Sequence, residues 1–162
     1  MRPSVSSRPV PDEPIIEQTD PRRPEAREAL RQYLAEIDDR GALAFDERDL
    51  DDVDGLVAPG GVFLLVYRGD EVVGCGGVRE LEPTVGELKR MWIRSDNRGK
   101  GLGSRLLSEL IEQSRAIGHT TLLLDTNRGL TEALALYRKH GFEPIERYND
   151  NPGATDFLRK LL

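Results

Sequence analysis

The sequence predicts an α+β (mixed α/β) domain in which helices pack on the faces of a mixed sheet. Two observations carry that prediction. Three strand-like runs follow one another at residues 62–67, 71–80 and 86–93, the pattern of an antiparallel meander. Beyond them the apolar period switches to about 3.6, the signature of an amphipathic helix. Over the whole chain of 162 residues the expected order is β-α-α-β-β-β-α-β-α-β-β.

The first dozen residues are rich in Pro and Ser and poor in apolar side chains. Residues 1–13 are therefore expected to be a disordered tail, and 14–162 one domain. A short strand follows at 15–17. Residues 24–39 read as a helix: Ala26, Leu30, Tyr33, Leu34 and Ile37 recur at helical spacing, and Gly41 follows its end. Residues 45–57 set Asp46, Glu47, Asp49, Asp51, Asp52 and Asp54 around Leu50, Val53 and Leu56, a short helix with an acidic outer face.

The first strand of the meander is an apolar, β-branched run that stops at the turn Arg68-Gly69-Asp70. In the second, Gly74, Gly76 and Gly77 point to a bulge or a close backbone neighbour. In the third, strict alternation puts Glu87, Lys89, Met91 and Ile93 on one face and Trp92 on the other. Leu102, Leu106, Leu110, Ser114 and Ile117 then form one helical stripe, with Leu107 and Ile111 beside it, and Gly118 stops the helix. A buried strand at 121–125, a helix at 131–140 ended by Gly141, and strands at 143–147 and 155–161 around Asn151-Pro152-Gly153 complete the chain.

Charge and composition exclude several classes. The formal charge is −6, and the two signs are unevenly spread. Residues 1–88 hold 10 basic and 20 acidic side chains, whereas residues 89–162 hold 13 and 9. The first half would tolerate a cation and the second an anion; the alternative is two solvated faces. No basic footprint marks a nucleic-acid partner. No apolar run approaches the roughly 20 residues of a membrane span, and no apolar segment of a signal peptide follows Met1. Cys75 stands alone, which excludes an intramolecular disulfide and a multi-cysteine zinc site, and His119 and His140 offer little for a metal centre. No metal is expected, and the expected address is cytoplasmic.

The chemistry concentrates in Arg98-Gly99-Lys100-Gly101-Leu102-Gly103, between the third meander strand and the long helix. A helix N-terminus exposes unpaired N–H groups and the positive end of a dipole. Glycines let a phosphate approach those groups, and Arg98 and Lys100 add charge, so anion binding is one reading and a plain tight turn the other. The segment lacks the Walker pattern. Read from Gly101 it gives Gly-x-Gly-x-x-Leu, which fails the dinucleotide fingerprint. Leu-Tyr-x-x-x-Gly-Phe follows at residues 136–142.

On these two motifs the sequence resembles the GNAT superfamily of acyl-CoA-dependent N-acyltransferases, and in particular its small stand-alone bacterial members. The family's pyrophosphate loop, (Arg/Gln)-x-x-Gly-x-(Gly/Ala), is matched by Arg98, Gly101 and Gly103. Its next helix commonly carries Ala-x-x-Leu-Tyr-x-x-x-Gly-Phe, matched by Ala133, Leu136, Tyr137, Gly141 and Phe142. The resemblance covers about residues 60–162 by motif and the rest by element order. One departure is Leu130, where many members carry an Asn toward the pantetheine; Asn127 is the candidate substitute.

The resemblance implies a central, mostly antiparallel twisted sheet with helices on both faces. It implies acetyl-CoA as cosubstrate and direct attack by an amine in a ternary complex. The N–H groups of Gly99, Lys100, Gly101, Leu102, Gly103 and Ser104, with Arg98, would hold the pyrophosphate. Met91, Trp92 and Ile93 would pair the pantetheine through backbone on a strand edge freed by splaying, and an N–H near Met91 or Trp92 would polarise the thioester. Glu87 is the candidate base; the alternative is a solvated carboxylate or a salt bridge with Lys89 or Arg90. Tyr137 is the candidate acid for the departing thiolate, the alternative being an aromatic packed on the sheet. Cys75 is expected in the core, His119 and His140 as helix-end capping or surface residues, and Trp92 in packing.

The acceptor is least determined. Tyr33, the acidic segment 46–54 and the run from Tyr148 to Pro152 are the candidate walls. The acidic first half favours a small, cationic amine by electrostatic steering. A protein N-terminus or lysine is an alternative acceptor, and a non-catalytic acyl-CoA sensor is an alternative from another class. A homodimer is an option the family brings with it.

Overall fold

The computed structural model describes residues 13–41, 44 and 46–162. Of the tail expected over residues 1–13, residues 1–12 lie outside the described residues. Strand β1 (Ile15–Gln18) leads into helix α1 (Pro24–Asp39), whose first turn is set by Pro24 and whose buried stripe is Ala26, Ala29, Leu30, Leu34 and Ile37. The meander is β2 (Val62–Arg68), β3 (Glu71–Glu82) and β4 (Val85–Ile93). Helix α2 (Leu102–Ile117), β5 (Thr121–Thr126), α3 (Thr131–Lys139), β6 (Glu143–Pro144) and β7 (Asp156–Leu161) follow. The strands form one seven-stranded sheet in the order β1-β2-β3-β4-β5-β7-β6. Only β4 and β5 run parallel. No helix among the described residues is long and apolar enough to cross a membrane.

Two cores sandwich the sheet. One packs α2 and α3 against Val62, Leu64, Val78, Leu88, Leu122 and Leu124; the other packs α1 against Phe63, Leu65, Cys75 and Trp92. Gly76 makes the first possible, since a Cβ there would stand 2.8 Å from Leu110 Cδ1. Each fully buried leucine of the α2 stripe contributes about 1.5–3 kcal/mol relative to exposure.

Three expectations are corrected. The acidic segment forms only a 3-10 turn at Glu47–Asp51: Asp46 and Asp49 cap each other's backbone, and such short acids compete with helical bonding. The strand expected at 143–147 stops after two residues, because Arg147 turns to donate to the carbonyls of Asn149, Asn151 and Ala154 and Tyr148 turns to Glu87. The third correction concerns β4. Lys89 pairs with Gly77 and Trp92 with Cys75, so Arg90 and Met91 together oppose one residue, Gly76. Arg90 takes φ +58 in this bulge. The alternation resets there. Met91 and Ile93 face the α2 core, while Trp92 joins the α1 core on the side of Glu87 and Lys89.

Candidate active site

β4 pairs with β5 only from Val85 to Glu87, against Thr121 to Leu123. Beyond Glu87 the two strands part, and the β4 edge toward β5 is free. A cleft of about 280 Å³ opens along that edge. Met91, Trp92, Ile93, Arg98, Gly99, Gly101, Leu102, Gly103, Ser104 and Tyr137 all line it. Of the residues predicted for the cosubstrate, Lys100 and Asn127 lie off this cleft.

The end of the cleft is the N-terminus of α2. Gly101 is its N-cap at φ +77 and Gly99 sits at φ +79, conformations that side-chain-bearing residues resist. No side chain caps the helix. The first-turn N–H groups of Leu102, Gly103 and Ser104 therefore have no intrahelical acceptor and suit an anion. The Ser104 hydroxyl lies 2.6 Å from His140 Nε2, which ties this turn to the end of α3.

Arg98 does something other than supply free charge. Its Nε donates to the Ile93 carbonyl at 2.9 Å, its Nη2 to Glu36 at 2.5 Å, and its Nη1 lies 3.7 Å from Glu132. It fastens the loop to β4, α1 and α3. Arg40 also grips Glu132, holding that carboxyl down at about 2. Sequence reasoning missed Glu36, Arg40 and Glu132, because the network joins residues up to 92 apart in the chain.

A second cavity, of about 110 Å³, sits where β4 and β5 part. Tyr33 and Tyr137 line both cavities. Burial pushes the Tyr137 phenol well above its ordinary range, so it holds its proton at neutral pH, and its ring meets Phe142 edge-on at 5.8 Å. Burial also pushes Tyr33 up, to about 12. Lys89, Arg90, Asp125, Thr126, Asn127 and Asn151 complete the polar lining. None of the described residues in 46–54 lines either cavity, so the acidic segment is not an acceptor wall.

Asp125 is a further residue the sequence reading missed. It accepts from Asn149 Nδ2 at 2.6 Å and Asn151 Nδ2 at 3.2 Å. The signal was present: a carboxylate ending a buried strand that runs parallel to its neighbour, at the carboxyl end where such sheets bind ligands. Asn127 faces the same cavity but donates to the Gly153 carbonyl at 2.9 Å and accepts from the Gly129 N–H at 2.8 Å.

Glu87 is 1 % exposed and lines neither cavity. Its Oε1 takes Arg79 Nη2 at 2.8 Å and Nε at 2.9 Å, with Lys89 Nζ at 3.9 Å. Its Oε2 accepts from the Tyr148 hydroxyl at 2.7 Å, which together with burial drives that phenol far above its usual range. The salt-bridge alternative is thus realised through Arg79 and Lys89, while Arg90 reaches Asp52 instead. Cys75 is buried, its thiol pushed up to about 12 by burial and 3.3 Å from the Arg90 carbonyl. His119 is buried rather than superficial, its Nδ1 2.7 Å from the Ser114 hydroxyl and its Nε2 without a partner among the described residues.

Comparison with known proteins agrees with this geometry. The model of the acetyltransferase (GNAT) family matches residues 17–142. An IAA acetyltransferase of Azospirillum brasilense is 34% identical over 139 residues, covering 83% of this chain and 87% of that protein. A GNAT-family acetyltransferase of Staphylococcus aureus Mu50 superposes with a TM-score of 0.79 at 20% identity, over 92% of this chain and 99% of that one. A GNAT-family acetyltransferase of Elizabethkingia anophelis, solved with acetyl-CoA bound, gives a TM-score of 0.70 at 19% identity, over 93% and 99%. The chain belongs to the GNAT acetyltransferase family and is an enzyme of the acetyl-CoA-dependent N-acetyltransferase class.

Proposed function

We propose that the protein moves an acetyl group from acetyl-CoA to the primary amine of a small molecule, by direct attack in a ternary complex. The observation that carries this reading is the pair of joined cavities with Tyr137 on the wall of both. The large cleft suits the donor: the free β4 edge at Met91 to Ile93 offers backbone groups to its amides, and the first turn of α2 offers N–H groups to its pyrophosphate. The small cavity suits a compact acceptor better than a peptide.

The residues then divide the work. The amine nitrogen bonds to the acetyl carbonyl carbon, the carbon–sulfur bond breaks, and the sulfur takes the Tyr137 hydroxyl proton. The proton shed by nitrogen passes to Asp125, and solvent restores it to Tyr137. Asp125 is assigned this role because its carboxylate lines the acceptor cavity and, among the described residues, is held by neutral amides. Glu87 is assigned a positioning role, through its grip on Tyr148.

The test is CoA thiol release from acetyl-CoA with amino acids, polyamines, aminoglycosides and short peptides at low salt. Turnover confined to compact amines supports the reading. Turnover with peptides alone overturns it in favour of a protein acceptor, and silence across the panel with acetyl-CoA binding intact overturns it in favour of a sensor.

A further inference from the structure

The small cavity carries charges of both signs that do not neutralise one another. Arg90 has a side chain only 12% exposed and five N–H donors, yet its one ionic partner among the described residues is the exposed Asp52 carboxylate at 3.5 Å. Asp125, on the same cavity, is held by the Asn149 and Asn151 amides and by no cation among the described residues. The two do not pair with each other, and Tyr33, on the same cavity, feels both in opposite senses. Half-burying a charge with a weak counterion, or with none, is costly, and a bound ligand of the complementary charge offsets that cost. Arg90 is also the bulge residue, at φ +58, a strained conformation that re-aims its side chain.

From this arrangement we infer that the acceptor is a compact amino-carboxylate, its amine held at Asp125 and its carboxylate at Arg90. The inference rests on the acetyl-transfer reading above and names the substrate class for that same site. A zwitterion brings a counterion to each end at once; its ammonium gives up one proton through Asp125 to solvent before the nitrogen attacks, and the second passes to Asp125 as the new bond forms. A plain amine leaves Arg90 unmatched, and a polyamine sets a second cation beside Lys89 and Arg90. The guanidinium fork suits a carboxylate, which it takes by two parallel hydrogen bonds. Asp125 also raises the phenols of Tyr137 and Tyr148, which puts the amine end within electrostatic reach of the tyrosine assigned as acid.

The experiment compares matched triplets in the thiol-release assay: each amino acid, its carboxamide, and the amine left when the carboxylate is removed. Wild-type protein is expected to favour the carboxylate form by about ten- to hundredfold in kcat/KM, the range of one charge-assisted hydrogen bond. In Arg90→Gln that preference should fall to about onefold, with the loss in KM, and Arg90→Lys should restore part of it. Equal or faster turnover of the plain amines by the wild type overturns the inference and leaves acetyl transfer to small amines standing. A preference that survives in both variants overturns the assignment to Arg90. No thiol release from any triplet overturns the underlying reading, and the inference with it.

Discussion

The Tyr148 hydroxyl donates to Glu87 Oε2 at 2.7 Å, joining residues 61 apart in the chain. This bond, with the edge-on contact of Tyr148 on Phe157 at 5.5 Å, holds the segment after β6 over the sheet beside α1. The same segment carries Asn149 and Asn151 to Asp125. Tyr148→Phe should therefore cost about 1–3 kcal/mol, the penalty for leaving a buried acceptor short of a donor. Arg79→Met leaves the Glu87 carboxylate without its closest counterion and should cost more, about 3–5 kcal/mol. Urea unfolding of both variants checks the order, and equal costs would contradict it.

Tyr137→Phe removes the hydroxyl assigned as the acid, one of two tyrosine hydroxyls on the walls of both cavities. Turnover should fall by about 10²–10⁴-fold, the usual contribution of a positioned acid, while acetyl-CoA affinity by calorimetry stays within a few-fold. Unchanged turnover would leave Tyr137 only its packing against Phe142.

Gly101→Val tests the helix N-terminus by conformation alone, since a Cβ there meets nothing within 4 Å. Its φ of +77 should cost a β-branched residue about 1–2 kcal/mol, paid by a shift of the loop. KM for acetyl-CoA should rise about tenfold while kcat at saturation holds, and a change confined to the amine KM would count against the placement of the donor.

His119 links stability to pH. Burial lowers its pKa below the ordinary 6.5, so the folded state favours the neutral ring. Its contribution is fully present above about pH 6.5 and is lost as pH falls through the lower folded value. His140 is shifted in the same direction by burial and by Lys139 and Lys160, and adds to the slope. Chemical unfolding at pH 7.5 and 5.5 should show the wild type losing stability, and His119→Gln losing less of it.

Much of the architecture was legible because it follows local periods. The α1 bounds agree to the residue, since Pro24 and the stripe from Ala26 to Ile37 bracket it. The α2 stripe and the loop glycines were equally plain, as each depends on spacing or on backbone freedom. The part of the large cleft lined by β4, the glycine loop and the first turn of α2 was legible too, because those residues are contiguous, whereas the wall from Glu36, Arg40 and Glu132 was not. What escaped was set at long range. Glu87 looked available on a strand, but Arg79 and Tyr148 arrive from another strand and a distant loop. Asp125 looked like the end of a hydrophobic run, and the amides that present it follow 24 and 26 residues later. Arg98 matched an anion motif, yet its partners Glu36 and Glu132 lie on helices far from it in sequence.

The bulge at Arg90 gives β4 a change of parity. Odd-numbered positions before it face the α1 layer; odd-numbered positions after it face the α2 layer. A single strand thereby serves two rooms, sending Lys89 to the small cavity and turning the Met91–Ile93 stretch to the large cleft. The division of the strand therefore hangs on the bulge itself more than on the side chains beside it. Pairing every residue of β4 in a regular ladder would swap Met91 and Trp92 between layers in a single stroke, whereas excising Arg90 together with the bulge would leave both on the layers they now face.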